Sequence, residues 1–460
     1  MAPSPNPRRV LGLRDLIFYG VVVITPIAPV PIYGVAQQLS RGHVIITLVL
    51  AGVAMMLTAF SYGRMASLYP WAGSAYVYVG RGLNPHMGFI AGWTMTLDYL
   101  VLPIVAIIQV ALALQRLLPG VPYTAWVTLL VVLITLLNLR GIRTTACTNT
   151  ALLICMAVVI GAFIVLSAKY LIALSGLAGL ISLKPLYDPA TFNVRAIMTG
   201  TSFAALTYIG FDGLTTLAED VENPSRNIPL ATISVCLFTA VFSCFLVYLA
   251  QLTYPDYRTF PNIETAFMDV TRRVGGEALF QSMGLVVILS SFGAALAGEV
   301  AASRVLLAMG RDNVLPRRLF ARLNARSQTP ITNIVLISGI AWIGSVLLSL
   351  EHAGDLLNFG ALLGFMGVNL SAFRECYLLQ TPSSRRFVAD ASVPLLGFAF
   401  CLAIWLTLPV PAKLTGGAWL LTGIAYYAAR SRSFRVPEPA STDQTASQPS
   451  RGAPPTIQSE

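Results

Sequence analysis

Charged residues are scarce in this chain, and their scarcity excludes most classes of soluble protein. Asp, Glu, Lys and Arg make up 11% of the 460 residues, whereas soluble globular proteins contain about 25%. A soluble protein of this length could not cover its surface with so few charges. Hydrophobic residues make up 56% of the chain, which indicates a membrane protein.

Clusters of residues that carry common catalytic or metal chemistry are also lacking. The three histidines are isolated from one another, and the six cysteines form no CxxC pair. No GxxxxGK[ST] phosphate-binding loop occurs, so we expect no nucleotide hydrolysis by this chain. We predict no enzymatic activity, no cofactor and no metal site. The net charge of +10 is interpreted as a topology signal and not as a nucleic-acid surface.

Long apolar runs are what the sequence has instead. Eight stretches contain no charge, and each approaches or exceeds the roughly 20 residues that a helix needs to cross hydrocarbon. Four weaker stretches, two of which contain a single Asp, raise the predicted count to twelve spans. The eight are Leu16–Ser40, Val44–Gly63, Val121–Leu139, Thr144–Ala168, Asn227–Pro255, Ala278–Gly298, Ser327–Leu350 and Ala391–Ala412; the four are Met87–Gln115, Ala196–Ala218, Leu356–Phe373 and Leu414–Ala429. We predict an all-α polytopic membrane protein.

The distribution of Lys and Arg predicts the orientation of these spans. With the N-terminus inside, the inner segments carry 21 of the 30 basic residues and the outer segments carry nine, as the positive-inside rule requires. Both termini are therefore predicted to be cytoplasmic, in a multi-pass cell-membrane protein. Residues 1–14 form a short cytoplasmic segment. The Pro-, Ser- and Thr-rich tail, 431–460, is predicted to be disordered because it cannot bury enough apolar surface.

Two spans are predicted to break in the middle. The first contains Thr25–Gly34, TPIAPVPIYG, in which three prolines remove backbone donors and clash with preceding carbonyls. The sixth contains Tyr208–Gly213, YIGFDG, with two glycines around an acid. Interrupted spans at matching positions in two halves are typical of secondary transporters whose substrate binds at the breaks.

Several motifs resemble a known family. Phe203–Pro229, FAALTYIGFDGLTTLAEDVENPSRNIP, and Ser303–Pro316, SRVLLAMGRDNVLP, resemble signatures of the amino acid–polyamine–organocation superfamily. Asn84–Pro103 and Leu357–Phe373 resemble its putrescine-importer branch. The resemblance covers about residues 10–430 and implies a leucine-transporter-like fold within 15–430. That fold consists of two inverted five-helix repeats, about 15–168 and 195–376, followed by two extra helices, about 391–430.

One departure from the family bears on the substrate. Amino acid members carry a Gly-Ser-Gly type segment at the first break, whose amides hold the substrate carboxylate. Here the corresponding residues are Ala28–Ile32, and two of these five are prolines without an N–H group. This disfavours an α-amino acid and favours a substrate that has no carboxylate. The fifth span also lacks the lysine that some proton-coupled relatives carry.

Acidic and aromatic residues near the breaks are the candidate ligands for a cation. A carboxylate inside a span is a functional candidate, because inserting it costs about 2.5–3.5 kcal/mol or more, and aromatic faces bind cations. Structural alternatives stay open, including helix capping by Asp212 and an ion pair of Glu299 with Arg304. The predicted substrate-binding residues are Thr25, Ala28, Tyr33, Trp93, Asp98, Tyr99, Tyr208, Phe211 and Asp212; those for coupling or gating are Asp98, Glu219 and Glu299.

The sequence thus favours a secondary active importer of a small organic cation, such as putrescine or another polyamine, driven by a proton gradient. The expected partners are the substrate, the proton and membrane lipid, with no nucleic acid, in a monomer or homodimer. An amino acid permease of the same fold is the main alternative. A non-transporting membrane receptor and an integral membrane enzyme are further alternatives.

Overall fold

A computed structural model describes residues 11–69, 74–140, 146–218, 220–311, 315–324, 329–381, 383 and 385–430. Within these ranges the chain is helical, with one isolated β-bridge and no strand. Eight helical segments in the described ranges are long and apolar enough to cross a membrane. The helices are α1 Leu13–Ile24, α2 Tyr33–Leu39, α3 Val44–Leu68, α4 Ser74–Gly82, α5 Pro85–Leu117, α6 Tyr123–Arg140, α7 Ala146–Ser175, α8 Val194–Ala204, α9 Pro224–Thr253, α10 Ala266–Arg311, α11 Arg317–Phe320, α12 Ile331–Leu347, α13 Leu350–Phe373, α14 Val393–Thr407 and α15 Val410–Arg430.

The predicted break in the first span is confirmed. Helix α1 ends at Ile24, eight residues of turns follow, and α2 begins at Tyr33. Thr25 has a φ of 60°, a positive value with which the α-helix cannot continue. Because Pro26, Pro29 and Pro31 lack an N–H group, an α-helix could not continue through this segment.

The predicted break in the sixth span is also confirmed. Helix α8 ends at Ala204 and continues as a short 3-10 turn, Ala205–Thr207. A second 3-10 segment, Phe211–Leu217, follows after Gly210, whose φ of 114° favours glycine. The two halves of this span are therefore separate helical pieces.

Helix boundaries differ from the predicted spans in two places. The run Ala391–Ala412 is divided, because α14 ends at Thr407 and α15 begins at Val410. Leu408 is extended, with a ψ of 144°, as is favoured immediately before a proline such as Pro409. Helix α10 is bent at Gly276, which has a φ of 64°. The bend separates a short helical piece, which begins at Ala266, from the long apolar one.

The two broken spans lie among long helices that pack closely around them. Helix α5 packs along α10 and α13, and α3 packs along α9. Gly360 on α13 permits the closest approach to α5, because a Cβ there would lie 2.5 Å from the Thr94 carbonyl oxygen and 3.4 Å from the Asp98 amide. This packing places the middle of α5 beside the centre of α13.

The start of the first broken span and the end of the second are joined by backbone hydrogen bonds. The Leu11 amide donates to the Asp220 carbonyl at 3.1 Å, and the Glu222 amide donates to the Leu11 carbonyl at 2.9 Å. The start of α1 is thereby held against the segment that follows the sixth span. The predicted gating residue Glu219 lies outside the described residues.

Candidate functional site

Aromatic residues form a buried cluster at the glycine break. The central aromatic cluster consists of Tyr62 on α3, Tyr78 on α4, Phe211 at the break and Phe365 on α13. The ring centroid of Tyr62 lies 5.5 Å from that of Phe211, 5.8 Å from that of Phe365 and 5.9 Å from that of Tyr78. All four side chains are fully buried. The structure is therefore closed to solvent at this point.

Asp212 caps the second half of the broken sixth span. Its carboxylate accepts a hydrogen bond from the Ser74 hydroxyl at 3.4 Å, and the backbone amides of Asp212, Gly213 and Gly210 lie close enough to stabilise its negative charge. A carboxylate bound by amides at a helix start is well stabilised. The charge of Asp212 is thus stabilised by groups of the protein itself.

Asp98 has a carboxyl oxygen without such a partner. It lies near the middle of α5 and is 6% exposed, and its Oδ1 atom accepts no hydrogen bond from the described part of the chain. Its carboxyl group is close enough to Asp212 to interact with it electrostatically. A buried carboxyl oxygen without a donor is costly and calls for a cation, a proton or a polar ligand group.

Tyrosines connect Asp98 to the central aromatic cluster. Tyr99 is within electrostatic range of both Asp98 and Asp212, and also of Tyr19 on α1. Tyr62 in turn interacts with Asp212, Tyr99 and Tyr78. Among the predicted residues, the structure therefore brings together Asp98, Tyr99, Phe211 and Asp212. They combine a carboxyl group that has one unpartnered oxygen with several aromatic side chains.

The backbone of the first break offers few free amides. The Ala28 amide donates to the Thr25 carbonyl at 3.1 Å, and the Val30 amide donates to the Ile27 carbonyl at 2.8 Å. Since three further positions are prolines, little of this segment can bind an anionic group. Thr25 and Ala28 lie in the break itself and are both half-buried.

Three predicted residues lie away from this group. Tyr33 on α2 packs edge-on against Phe260 and Phe267, with centroid distances of 6.0 and 5.4 Å. Tyr208 donates its hydroxyl hydrogen to the Leu48 carbonyl at 2.8 Å and is directed at α3. Their rings fill the protein interior at other helix contacts.

Trp93 is the third of these residues and faces α15. Its indole N–H donates to the Trp419 carbonyl at 2.9 Å, and the Trp419 indole donates back to the Trp93 carbonyl at 3.0 Å. The two rings stack with centroids 4.9 Å apart. These two hydrogen bonds and the ring stacking hold α15 against α5.

Glu299 lies in a different polar network, between α6, α10 and α12. Asn138 and Ser338 each donate a hydrogen bond to a separate oxygen of its carboxylate, and Thr135 donates to the Ser338 hydroxyl at 2.8 Å. Glu299 is 2% exposed. The ion pair with Arg304 considered from the sequence is not formed, because these neutral donors satisfy the carboxylate.

Sequence reasoning missed four residues of the site. Tyr62, Ser74, Tyr78 and Phe365 lie on three different helices, and only the fold brings them to the glycine break. The available signal was weak: Tyr62 is a polar aromatic residue between the small residues Ser61 and Gly63, inside an otherwise apolar span.

Comparison with known proteins agrees with this architecture. The family model described as amino acid permease matches residues 17–419, which is most of the chain. The chain belongs to the amino acid permease family. It is a multi-span membrane transporter of a small molecule and not an enzyme, as predicted, and the resemblance to the amino acid–polyamine–organocation superfamily is confirmed.

The individual relatives are transporters named for different substrates. The low-affinity putrescine importer PlaP of Escherichia coli is 28% identical over 95% of this chain and 98% of its own length. The branched-chain amino acid permease BcaP of Lactococcus lactis is 26% identical over 91% and 94%. Relatives at this level of identity transport different substrates, so the substrate has to be argued from the site.

A solved structure shows the fold. A crystal structure of a manganese transporter mutant from Eremococcus coleocola superimposes with a TM-score of 0.53, at 13% identity, over 91% of this chain and 95% of that one. The likeness concerns the fold alone. In the described residues of this chain, no group of three or more His, Cys, Asp or Glu side chains is placed to hold a metal ion.

Proposed function

We propose that this permease is a secondary active importer of a small organic cation, putrescine or a related polyamine, driven by a proton gradient. The observation that supports this most directly is the buried carboxyl group of Asp98, which has an oxygen without a donor. In the proposal, that carboxylate binds one ammonium group of the substrate.

The surroundings of Asp98 suit an ammonium group. A cation that enters the middle of a membrane protein must replace its hydration with carboxylate, carbonyl or aromatic contacts. Tyr99 and the central aromatic cluster supply aromatic faces, each worth about 0.5–2 kcal/mol to a bound cation. Carbonyl groups at the two breaks supply further acceptors, since the helices are interrupted there.

The first break disfavours a substrate carboxylate. Binding a carboxylate at a broken helix requires free amides at the start of a half-helix. Here the amides of Ala28 and Val30 donate to neighbouring carbonyls, and Pro26, Pro29 and Pro31 have none. This observation favours a diamine over an α-amino acid.

The proposed architecture has twelve spans and two inverted five-helix repeats, with both termini in the cytoplasm. The interrupted first and sixth spans occupy equivalent positions in the two repeats. Asp98 and Tyr99 contact the substrate, Phe211 contributes to the aromatic wall, and Thr25 and Ala28 contribute backbone. Asp212 holds the second half-helix in place, and Glu299 stabilises the contact between α6, α10 and α12. Glu219 is a proposed inner gating residue.

Uptake competition in proteoliposomes tests the substrate class. The purified protein is reconstituted, the outside is made acidic relative to the lumen, and labelled putrescine uptake is competed with putrescine, ornithine or leucine. Ornithine carries the same two amino groups as putrescine plus a carboxylate. Putrescine should compete at least about tenfold better than ornithine, since a desolvated carboxylate without partners costs well over 1.4 kcal/mol.

Two outcomes would contradict the proposal. Stronger competition by ornithine or leucine would instead support an amino acid permease. Saturable binding without uptake under any gradient would support a non-transporting receptor. Protein-free liposomes and liposomes without a pH gradient serve as controls.

A further inference from the structure

A second buried acid with unpartnered carboxyl oxygens, Asp355, lies outside the site described above. It is on α13, five residues after the helix begins at Leu350, and it is 1% exposed. Neither of its two carboxyl oxygens accepts a hydrogen bond from the described residues. It differs in this respect from Glu299, whose two oxygens are both hydrogen-bonded.

The flanking residues place Asp355 at a contact with the broken sixth span. Asn358 donates a hydrogen bond to the Ser202 carbonyl on α8 at 2.7 Å. A Cβ at Gly354 would lie 2.5 Å from Leu206 and 2.9 Å from Phe203. We call this contact of Gly354 and Asn358 with Ser202, Phe203 and Leu206 the α8–α13 seam. The seam is tightly closed in this structure.

The charged groups around Asp355 do not neutralise it. Glu351, one turn earlier on α13, is the charged group that acts on it electrostatically, and it is of the same sign. Lys413 donates instead to the Leu406 carbonyl at 2.6 Å, and Arg64 pairs with Asp390. Other charged side chains that the structure describes on elements packed against α13 also form no ion pair with Asp355; they are Arg81, Asp98, Arg116, Arg195, Arg374 and Glu375.

We propose that Asp355 is the proton-binding residue of the transport cycle, and that its protonation permits the α8–α13 seam to close. A carboxylate without donors or a cation is strongly disfavoured in a closed apolar contact, whereas the neutral acid is tolerated. When α8 moves away from α13, water reaches the carboxylate and the proton can exchange. One proton then binds from the outer side before closure and leaves on the inner side later in the cycle.

This inference rests on the proposed function, since it assigns the coupling proton to a particular group. It also separates the roles of three buried acids. Asp98, beside the aromatic cluster, binds the substrate. Glu299, with both oxygens satisfied, is structural. Asp355, with no partner and next to a broken span, carries the proton.

The test compares accumulation with exchange for Asp355→Asn. With the membrane potential clamped at zero and the outside one pH unit more acidic, coupling to one proton supports about tenfold accumulation of substrate. Wild type should reach this ratio and should move protons inward with putrescine, read by a pH dye in the lumen. Asp355→Asn should still exchange labelled for unlabelled putrescine without a gradient, but its accumulation ratio should fall to one and its proton influx should vanish.

Two further variants serve as controls. Glu299→Gln, another buried acid, should retain accumulation, and Asp355→Glu should recover part of the coupling. Accumulation by Asp355→Asn at the wild-type ratio would overturn the inference. So would the loss of exchange in a variant that is monodisperse and still binds putrescine. If wild type itself accumulates no putrescine, the proposed function fails instead, which is a separate result.

Discussion

Asp98 and Glu299 are both buried acids on long apolar helices, yet the hydrogen-bond donors available to their carboxyl groups differ. Around Glu299, two helices provide hydrogen-bond donors: α6 provides Asn138 and, indirectly, Thr135, and α12 provides Ser338. Around Asp98, the neighbours are aromatic rings and another acid, and one oxygen has no partner. A satisfied carboxylate stabilises the contacts it lies in, whereas an unsatisfied one is available for a ligand.

Charge removal at the two acids should therefore have unequal effects on transport. Asp98→Asn keeps the shape of the side chain but removes its charge. We expect putrescine uptake to fall by about 10- to 100-fold, the equivalent of a charge-assisted hydrogen bond worth about 1.5–3 kcal/mol. Uptake is measured at equal amounts of reconstituted protein. Uptake by this variant at the wild-type rate would indicate that Asp98 has a structural role.

At Glu299 we expect a loss of stability and not of affinity. Glu299→Gln provides one acceptor atom where Asn138 and Ser338 need two, so one donor loses its partner at a cost of about 1–3 kcal/mol. The temperature at which the detergent-solubilised protein unfolds should fall, and putrescine affinity should stay within about twofold, since RT ln 2 is well below 1 kcal/mol. A large drop in putrescine affinity at unchanged stability would indicate that Glu299, like Asp98, belongs to the substrate site.

The smallest effect is expected at Trp93, which lies outside both regions. Trp93→Phe keeps most of the stacking on Trp419 and removes one indole hydrogen bond, a loss of about 0.5–1.5 kcal/mol. Thermal unfolding should shift slightly, and the half-saturation concentration for uptake should not change. A clear rise in that concentration would extend the substrate site toward α15.

Local chemistry explains why the two breaks could be predicted from the sequence. Three prolines within six residues, Pro26, Pro29 and Pro31, prevent a regular helix, and Gly210 marks a backbone conformation that few other residues adopt. Long uncharged runs likewise identify helices without reference to their neighbours. These features depend on a few adjacent residues.

The side-chain partners could not be predicted in the same way. Tyr62, Tyr78 and Phe365 meet at Phe211 only because α3, α4 and α13 pack around the break. Trp93 and Tyr208 resembled site residues by position along the chain, but helix rotation directs them to α15 and α3. Whether a buried acid has a donor also depends on packing, which is why the sequence could not distinguish Asp98 from Glu299 and did not identify Asp355.

Equilibrium binding of labelled putrescine tests the central claim most directly. Wild type, Asp98→Asn and the control Glu299→Gln are compared in detergent, without a gradient, at several pH values. If Asp98 binds an ammonium group, Asp98→Asn should bind at least about tenfold more weakly than wild type at every pH, a difference of 1.4 kcal/mol or more, while Glu299→Gln binds as wild type does. Equal affinity of wild type and Asp98→Asn across the pH range would contradict the account.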